Sequence, residues 1–498
     1  MAREYPSLAV ANYGLALLTL IYISNQWSRY ILNYLYAVPY DDDKENKAER
    51  ISIAYACDLT TSEYGILTGY GFSATFVVTG LFMGRAADKH NRRNIVTIGC
   101  YIWNLALAAM GMSSNFYELL IFRLVLGFGE AFSNPASYSM IADLFPPEKR
   151  PQANGIFASG VYVGGGLASI SESLAEEMGW RYTCYLTAAV GGLLCTLLLC
   201  TMSEPPRQNL DEMDKIEEED EAVQGSQEAT EVEEQAEKPS QQQSTLSVIK
   251  WLLTDPHTLV LFIAASVRFM GGYAIAGYLP YFYDYAFSSY STQYSYINAY
   301  VVAFGGFCSS WGGGKITTLW KESANHEDPS RRWPGAEKAN YYVPMIGALL
   351  GIPFICICCL ASDFYVSLCV GLFLEYLVAE CWFGPYMSAL QEGVPPTMRG
   401  LAVATMMFMA TFFGSLMSYL IGEIYDALVD DGYSHKVVRY LVLYSVVGTY
   451  AVSALLFYQA SRITPATAKA SGSTSETTSL LHQQGSSPAT AGNGSEPA

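Results

Sequence analysis

The side chains of this chain best placed to do chemistry are two glutamates that occur in matching motifs. Glu130 is followed by Pro135 and then by a Pro-Pro-x-x-Arg run that ends at Arg150. Glu380 is followed in the same way by Pro385 and a second such run. Both glutamates lie in apolar stretches, about 250 residues apart in a chain of 498. Because an acid inside hydrocarbon is costly, each is a candidate functional group, and a carboxyl there can bind a proton.

Three arginines accompany these acids. Arg29 and Arg268 fall in the first apolar run of each half of the chain, and Arg123 precedes Glu130 by two helical turns. Guanidinium groups bind phosphate or carboxylate in a bidentate manner, and a cation that moves relative to a carboxyl changes how readily the carboxyl holds a proton. The residues predicted to form a substrate and proton-coupling cavity are Arg29, Arg123, Glu130, Arg268 and Glu380. The alternative is a set of static ion pairs that stabilise helix packing.

Neighbouring residues are weaker candidates. Glu375 lies five residues before Glu380 and is expected to point elsewhere on a helix. Pro135 and Pro385 are expected to bend their helices and to free carbonyl groups. Aromatic residues are dense near one apolar run, where they suit either the acyl chain of an amphipathic substrate or anchoring at the membrane interface. These are Phe269, Tyr273, Tyr278, Tyr281, Phe282, Tyr283 and Tyr285.

Composition indicates a membrane protein. The chain is 51% hydrophobic and 15% charged, whereas soluble proteins carry about 25% charged residues. Much of the net charge of -18 comes from segment 211–237, and no basic stripe indicates nucleic-acid binding. The 11 cysteines lack the spacing of a disulfide framework or a metal site. We find no Walker-type loop, nucleophile elbow or H-E-x-x-H motif, so we expect neither enzymatic activity nor a cofactor.

The apolar runs predict twelve membrane-spanning helices, here called spans 1–12, each of about 20 residues. A repeat of half the chain predicts two pseudo-symmetric six-helix bundles in an all-α membrane protein. The predicted organisation is an N-terminal bundle over 1–205, an acidic disordered linker over 206–250, a C-terminal bundle over 251–462 and a disordered tail over 463–498. The predicted span centres are Leu18, Phe76, Leu105, Leu126, Val163, Leu193, Ile263, Ala303, Leu349, Phe373, Phe412 and Val447.

Loop charges predict the orientation of the chain. Lys and Arg concentrate in the loops after spans 2, 4 and 8, which predicts that these loops and both termini are cytosolic. In the tail, Glu476, Leu480 and Leu481 form an acidic dileucine pattern typical of a sorting signal. Such a signal would bind sorting adaptors and direct the protein to endosomal, lysosomal or vacuolar membranes. The plasma membrane is the alternative.

The loop after span 2 carries a recognisable motif. Its residues Gly84, Asp88, Lys89, Arg92 and Arg93 resemble the cytoplasmic gate signature of the major facilitator superfamily, and they stand where that signature belongs. In the second half, three glycines and Lys315 remain without the acid. The run from Arg123 to Ala131 is similar to the fourth-helix motif of the same family. The resemblance implies a transporter fold in which spans 1, 4, 7 and 10 line a central cavity.

Within that family the chain resembles the Spinster-like branch. The resemblance is carried by Gly129-Glu130-Ala131 and by the run from Ile141 to Phe145. It implies a proton-linked or facilitative carrier, with lysophospholipids or sphingolipids as the substrate class. Ser28 stands before Arg29 where that branch often has Asp, so one carboxyl of a proton relay is replaced here.

Two other functions stay open from the sequence. One is a proton-coupled symporter of small polar organic anions or sugars, which would use the same acids and arginines. The other is a membrane receptor or trafficking scaffold that does not transport. The expected partners are therefore a small-molecule or lysolipid substrate, the bilayer, protons and sorting adaptors, with no nucleic acid.

Overall fold

The computed structural model describes residues 5–36, 51–146, 149–206, 245–326, 328, 330, 332–395 and 398–465. Within these ranges the chain is helical. Most of the predicted linker and tail lies outside the described residues, as does the dileucine pattern of Glu476, Leu480 and Leu481. The side chains of Gly84, Asp88 and Lys89 also lie outside the description, although their backbone belongs to a helix.

All twelve predicted span centres fall in helices, so the predicted fold class is confirmed. The first six spans are Leu8–Tyr36, Thr61–Thr68 with Tyr70–Lys89, Arg92–Met110, Phe116–Glu130 with Ser133–Leu144, Arg150–Ala158 with Gly160–Met178, and Trp180–Thr201. After Thr245–Thr254, spans 7–12 are Pro256–Ala286, Ser291–Tyr300 with Val301–Gly305 and Gly306–Glu322, Ala339–Leu360, Val366–Leu372 with Phe373–Ala379, Glu380–Trp382 and Phe383–Gly393, Arg399–Asp430, and Val437–Ala460.

Seven of these helical stretches, among the described residues, are long and apolar enough to cross a membrane. They correspond to spans 1, 6, 7, 9, 10, 11 and 12. The remaining spans are interrupted or more polar, and they lie among the apolar ones in the same bundle. Buried backbone groups are satisfied inside each helix, which is the condition for crossing hydrocarbon.

Spans 4 and 10 break at their glutamates, as the two prolines predict. The helix Phe116–Glu130 ends at Glu130 and resumes at Ser133, and span 10 forms a 3-10 turn over Glu380–Trp382. Proline has no N–H for the carbonyl four residues earlier, and both prolines occupy the third position of the helix that resumes. The break therefore follows from the sequence.

Several hydrogen bonds join the first six spans to the last six at one end of the bundle. Asn33 Nδ2 of span 1 donates to the carbonyl of Ala276 in span 7 at 2.8 Å. Asp426 of span 11 accepts from two backbone N–H groups at the start of span 2, at 3.2 and 2.7 Å. Since twelve spans alternate in direction, this end is opposite to Leu8 and Ala460. We call it the distal end.

Candidate functional site

The first-half acid and arginine form a direct ion pair between spans 1 and 4. Arg29 Nε lies 3.1 Å from Glu130 Oε2. The guanidinium stacks on Phe72 and Phe76 of span 2, with 4.4 Å to each ring centroid. Arg29 Nη2 and Glu130 Oε1 have no hydrogen-bond partner among the described residues. The pair is therefore incomplete: Arg29 Nη2 can donate one more hydrogen bond and Glu130 Oε1 can accept one.

Arg123 donates its hydrogen bonds to backbone carbonyl groups. Its Nε donates to the carbonyl of Leu67 and its Nη1 to the carbonyl of Arg29, both at 3.1 Å. It thus ties span 4 to the backbone of spans 1 and 2. It remains an electrostatic neighbour of Glu130, but its hydrogen bonds hold Arg29 in position.

Two glycines bring neighbouring helices against the turn that carries Glu130. A Cβ atom on Gly127 would lie 2.3 Å from the carbonyl oxygen of Phe72, and one on Gly129 would lie 2.8 Å from the backbone nitrogen of Trp103. Only glycine permits these approaches. Spans 2 and 3 therefore close around span 4 and leave Glu130 without solvent contact.

The second half repeats the ion pair between spans 7 and 10. Arg268 Nη2 donates to Glu380 Oε1 at 2.9 Å and to the carbonyl of Ala379 at 3.0 Å. Its guanidinium lies over the ring of Tyr450, with 4.2 Å to the centroid. The two halves of the chain therefore repeat the Arg–Glu ion pair as well as the sequence motif.

Glu375 belongs to the same cluster as Glu380 and Arg268. It is fully buried and accepts a hydrogen bond from the hydroxyl of Tyr450, the residue on which Arg268 stacks. Sequence reasoning missed this connection because Tyr450 lies in span 12, far along the chain. The one feature of the sequence that hinted at this connection is a second acid, Glu375, in the apolar run of Glu380.

The two ion pairs differ in which member reaches solvent. In the first half the side chain of Arg29 is 19% exposed and that of Glu130 is 0% exposed. In the second half Arg268 is 1% exposed and Glu380 is 20% exposed. Tyr30 lies close enough to both Glu130 and Glu380 to interact electrostatically. The arrangement therefore presents one partly exposed cation, Arg29, and one partly exposed anion, Glu380, and both interact with Tyr30.

The described gate residues make contacts within the first half. Arg92 is buried, pairs with Asp143 of span 4, and donates from Nε to Glu204 at 2.7 Å. Arg93 donates to the carbonyl of Met202 at 3.1 Å. The sequence pattern around Asp143 does not indicate this partner. These contacts join span 3 to the ends of spans 4 and 6, and a gating role stays a prediction.

Most span 7 aromatics pack against other side chains. Tyr278 donates to the carbonyl of Ser418 at 2.6 Å, and Tyr283 stacks on Tyr294 with 4.5 Å between centroids. Tyr281 bonds to the hydroxyl of Tyr425 at 2.8 Å. These residues form contacts at the distal end and do not present a continuous surface for an acyl chain.

A twelve-span helical bundle that holds one ion pair in each half is the architecture of a membrane transporter. The sequence matches the family model of the Major Facilitator Superfamily over residues 18–419, and the chain belongs to that family. It is 24% identical to an MFS-type efflux pump of Mycolicibacterium smegmatis over 82% of this chain and 86% of the pump.

The chain is also similar to Spinster proteins. It is 30% identical to the sphingosine-1-phosphate transporter SPNS2 of Danio rerio, over 28% of this chain and 29% of that protein. The chain is thus aligned with only about a third of that relative's length. A bacterial homologue of the human lysosomal transporter Spinster, crystallised in an inward-facing unoccupied state, has a TM-score of 0.68 at 19% identity. That alignment covers 92% of this chain and 98% of the other, and it shows the shared fold.

Proposed function

We propose that this transporter carries an amphipathic solute with an anionic head group, of the lysophospholipid or sphingolipid-phosphate class, by alternating access. The observation that carries the proposal is the partly exposed side chain of Arg29 beside a fully buried carboxyl; its Nη2 is enclosed and has no partner among the described residues. A phosphate can bind such a guanidinium in a bidentate manner. The similarity to a sphingosine-1-phosphate transporter supports this substrate class.

Glu380 adds a second element of recognition. Its carboxylate is the more exposed member of the second ion pair, and like Arg29 it interacts electrostatically with Tyr30. A zwitterionic head group has a phosphate for the arginine and an ammonium group for the glutamate. Substrates with both charges should therefore bind more tightly than substrates with a phosphate alone.

Proton coupling follows from competition for Arg29. When a phosphate takes the guanidinium, Glu130 loses its ion-pair partner while it remains buried, and Arg123 is left as its one cationic neighbour among the described residues. A buried carboxyl that loses an ion-pair partner takes up a proton more readily. Substrate and proton would then bind together, which is the thermodynamic requirement of symport.

Membrane sidedness and targeting belong to the same proposal. Loop charges support cytosolic termini, so the distal end would face a lumen or the exterior. The tail pattern of Glu476, Leu480 and Leu481 supports delivery by sorting adaptors to an endosomal, lysosomal or vacuolar membrane. We also propose that the N-terminal bundle comprises residues 1–205 and the C-terminal bundle residues 251–462.

One observation favours a small polar anion as the alternative substrate. Three of the span 7 aromatics that suit an acyl chain, Tyr278, Tyr281 and Tyr283, are engaged in contacts with neighbouring spans. A hexuronate or another carboxylate would need Arg29 but no apolar surface. A scaffold without transport would need neither ion pair.

A competition experiment on purified protein in nanodiscs separates these substrate classes. We expect a labelled lysophospholipid to bind and to be displaced by sphingosine-1-phosphate, while hexuronates and hexoses have no effect at equal concentration. Displacement by hexuronate alone would replace the lipid proposal with the small-anion alternative. Absence of binding by every anion would contradict the role of Arg29.

A further inference from the structure

Spans 5 and 8 meet at the distal end through a zipper of small residues. Ser295 Oγ of span 8 donates to the carbonyl of Ser169 in span 5 at 2.6 Å. A Cβ on Gly166 would lie 2.5 Å from the carbonyl of Ala299. Glu176 accepts from Ser291 and, at 3.1 Å, from Thr292. The span 5 positions recur every three or four residues, so they lie on one helix face: Gly166, Ser169, Ser173 and Glu176.

Glu172 is buried beside this zipper without a partner. Its side chain is fully enclosed, and neither carboxyl oxygen has a hydrogen-bond partner among the described residues. The hydroxyl of Ser291, its nearest donor, is bonded to Glu176. Asp284 of span 7 is also buried and has one oxygen unpartnered.

The charged groups of the described residues that act on Glu172 are both acidic. They are Glu176 on its own helix and Asp284 on span 7. The titratable groups that face it from the other packed elements are Tyr34 of span 1 and Tyr294 of span 8. An ionised carboxylate in this position would face two acids, and the nearby hydroxyl of Ser291 is bonded to Glu176, so ionisation in this enclosed site is strongly unfavourable. A protonated carboxyl avoids that cost.

We propose that Glu172 is a proton-binding site of the distal gate. It holds a proton while spans 5, 7 and 8 are in contact and releases it to water when they separate. Opening of the distal end is then linked to proton release at a position distinct from Glu130. The proposal rests on alternating access as proposed above, but it is independent of coupling through Glu130.

The coupling between protonation of Glu172 and opening of the distal end sets the expected size of the pH effect. A single group that is protonated in the closed state and ionised in the open state changes the open-to-closed ratio by up to about tenfold per pH unit. The open state is favoured as pH rises. Residues 291–300 lie in the zipper, so hydrogen exchange of their amides reports this ratio.

The test is hydrogen–deuterium exchange of the full chain in nanodiscs without substrate, from pH 5 to pH 9. Rates are corrected for the intrinsic pH dependence of amide exchange. We expect corrected exchange of residues 291–300 to rise by up to about tenfold per pH unit over part of this range in wild type. Glu172→Gln should remove the rise. Glu177→Gln, the same change on an exposed neighbour, should keep it.

Glu172→Asp retains an ionisable group and should keep a pH-dependent rise, so it decides the question if the Gln variant does not fold. A rise in Glu172→Gln equal to that of wild type overturns the proposal. A rise that requires Na⁺ and is absent in choline assigns the site to a metal ion and also overturns it. If exchange of residues 291–300 responds to a saturating lysophospholipid but not to pH, the proton-binding role of Glu172 is contradicted while alternating access stands. If exchange responds neither to pH nor to lysophospholipid, alternating access itself is contradicted.

Discussion

Replacing Arg29 by Ala should weaken the binding of anionic ligands much more than the binding of neutral ligands. The guanidinium of Arg29 is the accessible cation of the site and lies 3.1 Å from Glu130. A hydrogen bond to a charged group contributes about 1.5–3 kcal/mol, which corresponds to a factor of about 10 to 150 in affinity. We therefore expect Arg29→Ala to weaken binding of lysophosphatidic acid by that factor. Monoacylglycerol with the same acyl chain lacks the phosphate and should lose far less.

The cost of this change to stability should be smaller than for most buried ion pairs. Removing one partner of a buried pair typically costs about 3–5 kcal/mol because the other charge is left alone. Glu130 can instead take up a proton, and Phe72 and Phe76 keep their packing on span 2. Arg29→Lys retains the charge but loses the planar fork, so its affinity for phosphate should fall between wild type and Ala.

The assay is equilibrium binding of the two matched lipids in nanodiscs, with a melting curve to establish that each variant is folded. Arg462→Ala removes an exposed arginine near the end of the last span and serves as the control. Glucuronate against glucose gives the same comparison for the small-anion alternative. Equal losses for charged and neutral ligands in Arg29→Ala would refute the reasoning and assign Arg29 to helix packing.

Three further predictions concern packing, the distal end and targeting. Gly127→Ala places a Cβ 2.3 Å from the Phe72 carbonyl and should destabilise the protein by about 1–3 kcal/mol. Gly192→Ala, with open space around it inside a helix, should leave the melting temperature unchanged or raise it, and equal melting of both variants would contradict the close approach. Asp426→Asn removes the charge that accepts from the start of span 2 and should raise hydrogen exchange of residues 61–68 several-fold; unchanged exchange would count against a contact between the halves there. Leu480→Ala with Leu481→Ala should move a tagged protein to the cell surface, and an unmoved protein would end the sorting hypothesis.

Some features were predictable because they depend on local chemistry. Apolar runs of the right length specify the spans, and a proline three residues into a resumed helix specifies the break near each glutamate. The pairing of Arg29 with Glu130 and of Arg268 with Glu380 follows from the repeat, since similar halves place similar residues in corresponding spans.

Other features depend on contacts between distant spans and could not be predicted from sequence. Which member of each ion pair reaches solvent depends on how tightly the neighbouring helices close, as Gly127 shows for Glu130. Tyr450 joins Glu375 to Arg268 from span 12. In the sequence, Glu172 is one acid in a Gly- and Ser-rich helix. Its lack of hydrogen-bond partners becomes evident only when spans 7 and 8 are packed against it.

Gradient-driven uptake into proteoliposomes tests the central claim most directly. Uptake of a labelled lysophospholipid would be measured with and without an inward proton gradient for wild type, Glu130→Gln and the exposed control Glu177→Gln. We predict that the gradient stimulates uptake by wild type and by the control, while Glu130→Gln, which cannot exchange a proton, shows no stimulation. Gradient stimulation that persists in a folded Glu130→Gln would contradict proton coupling at this carboxyl. The absence of lysophospholipid uptake by folded, correctly inserted wild type would contradict the proposed substrate class.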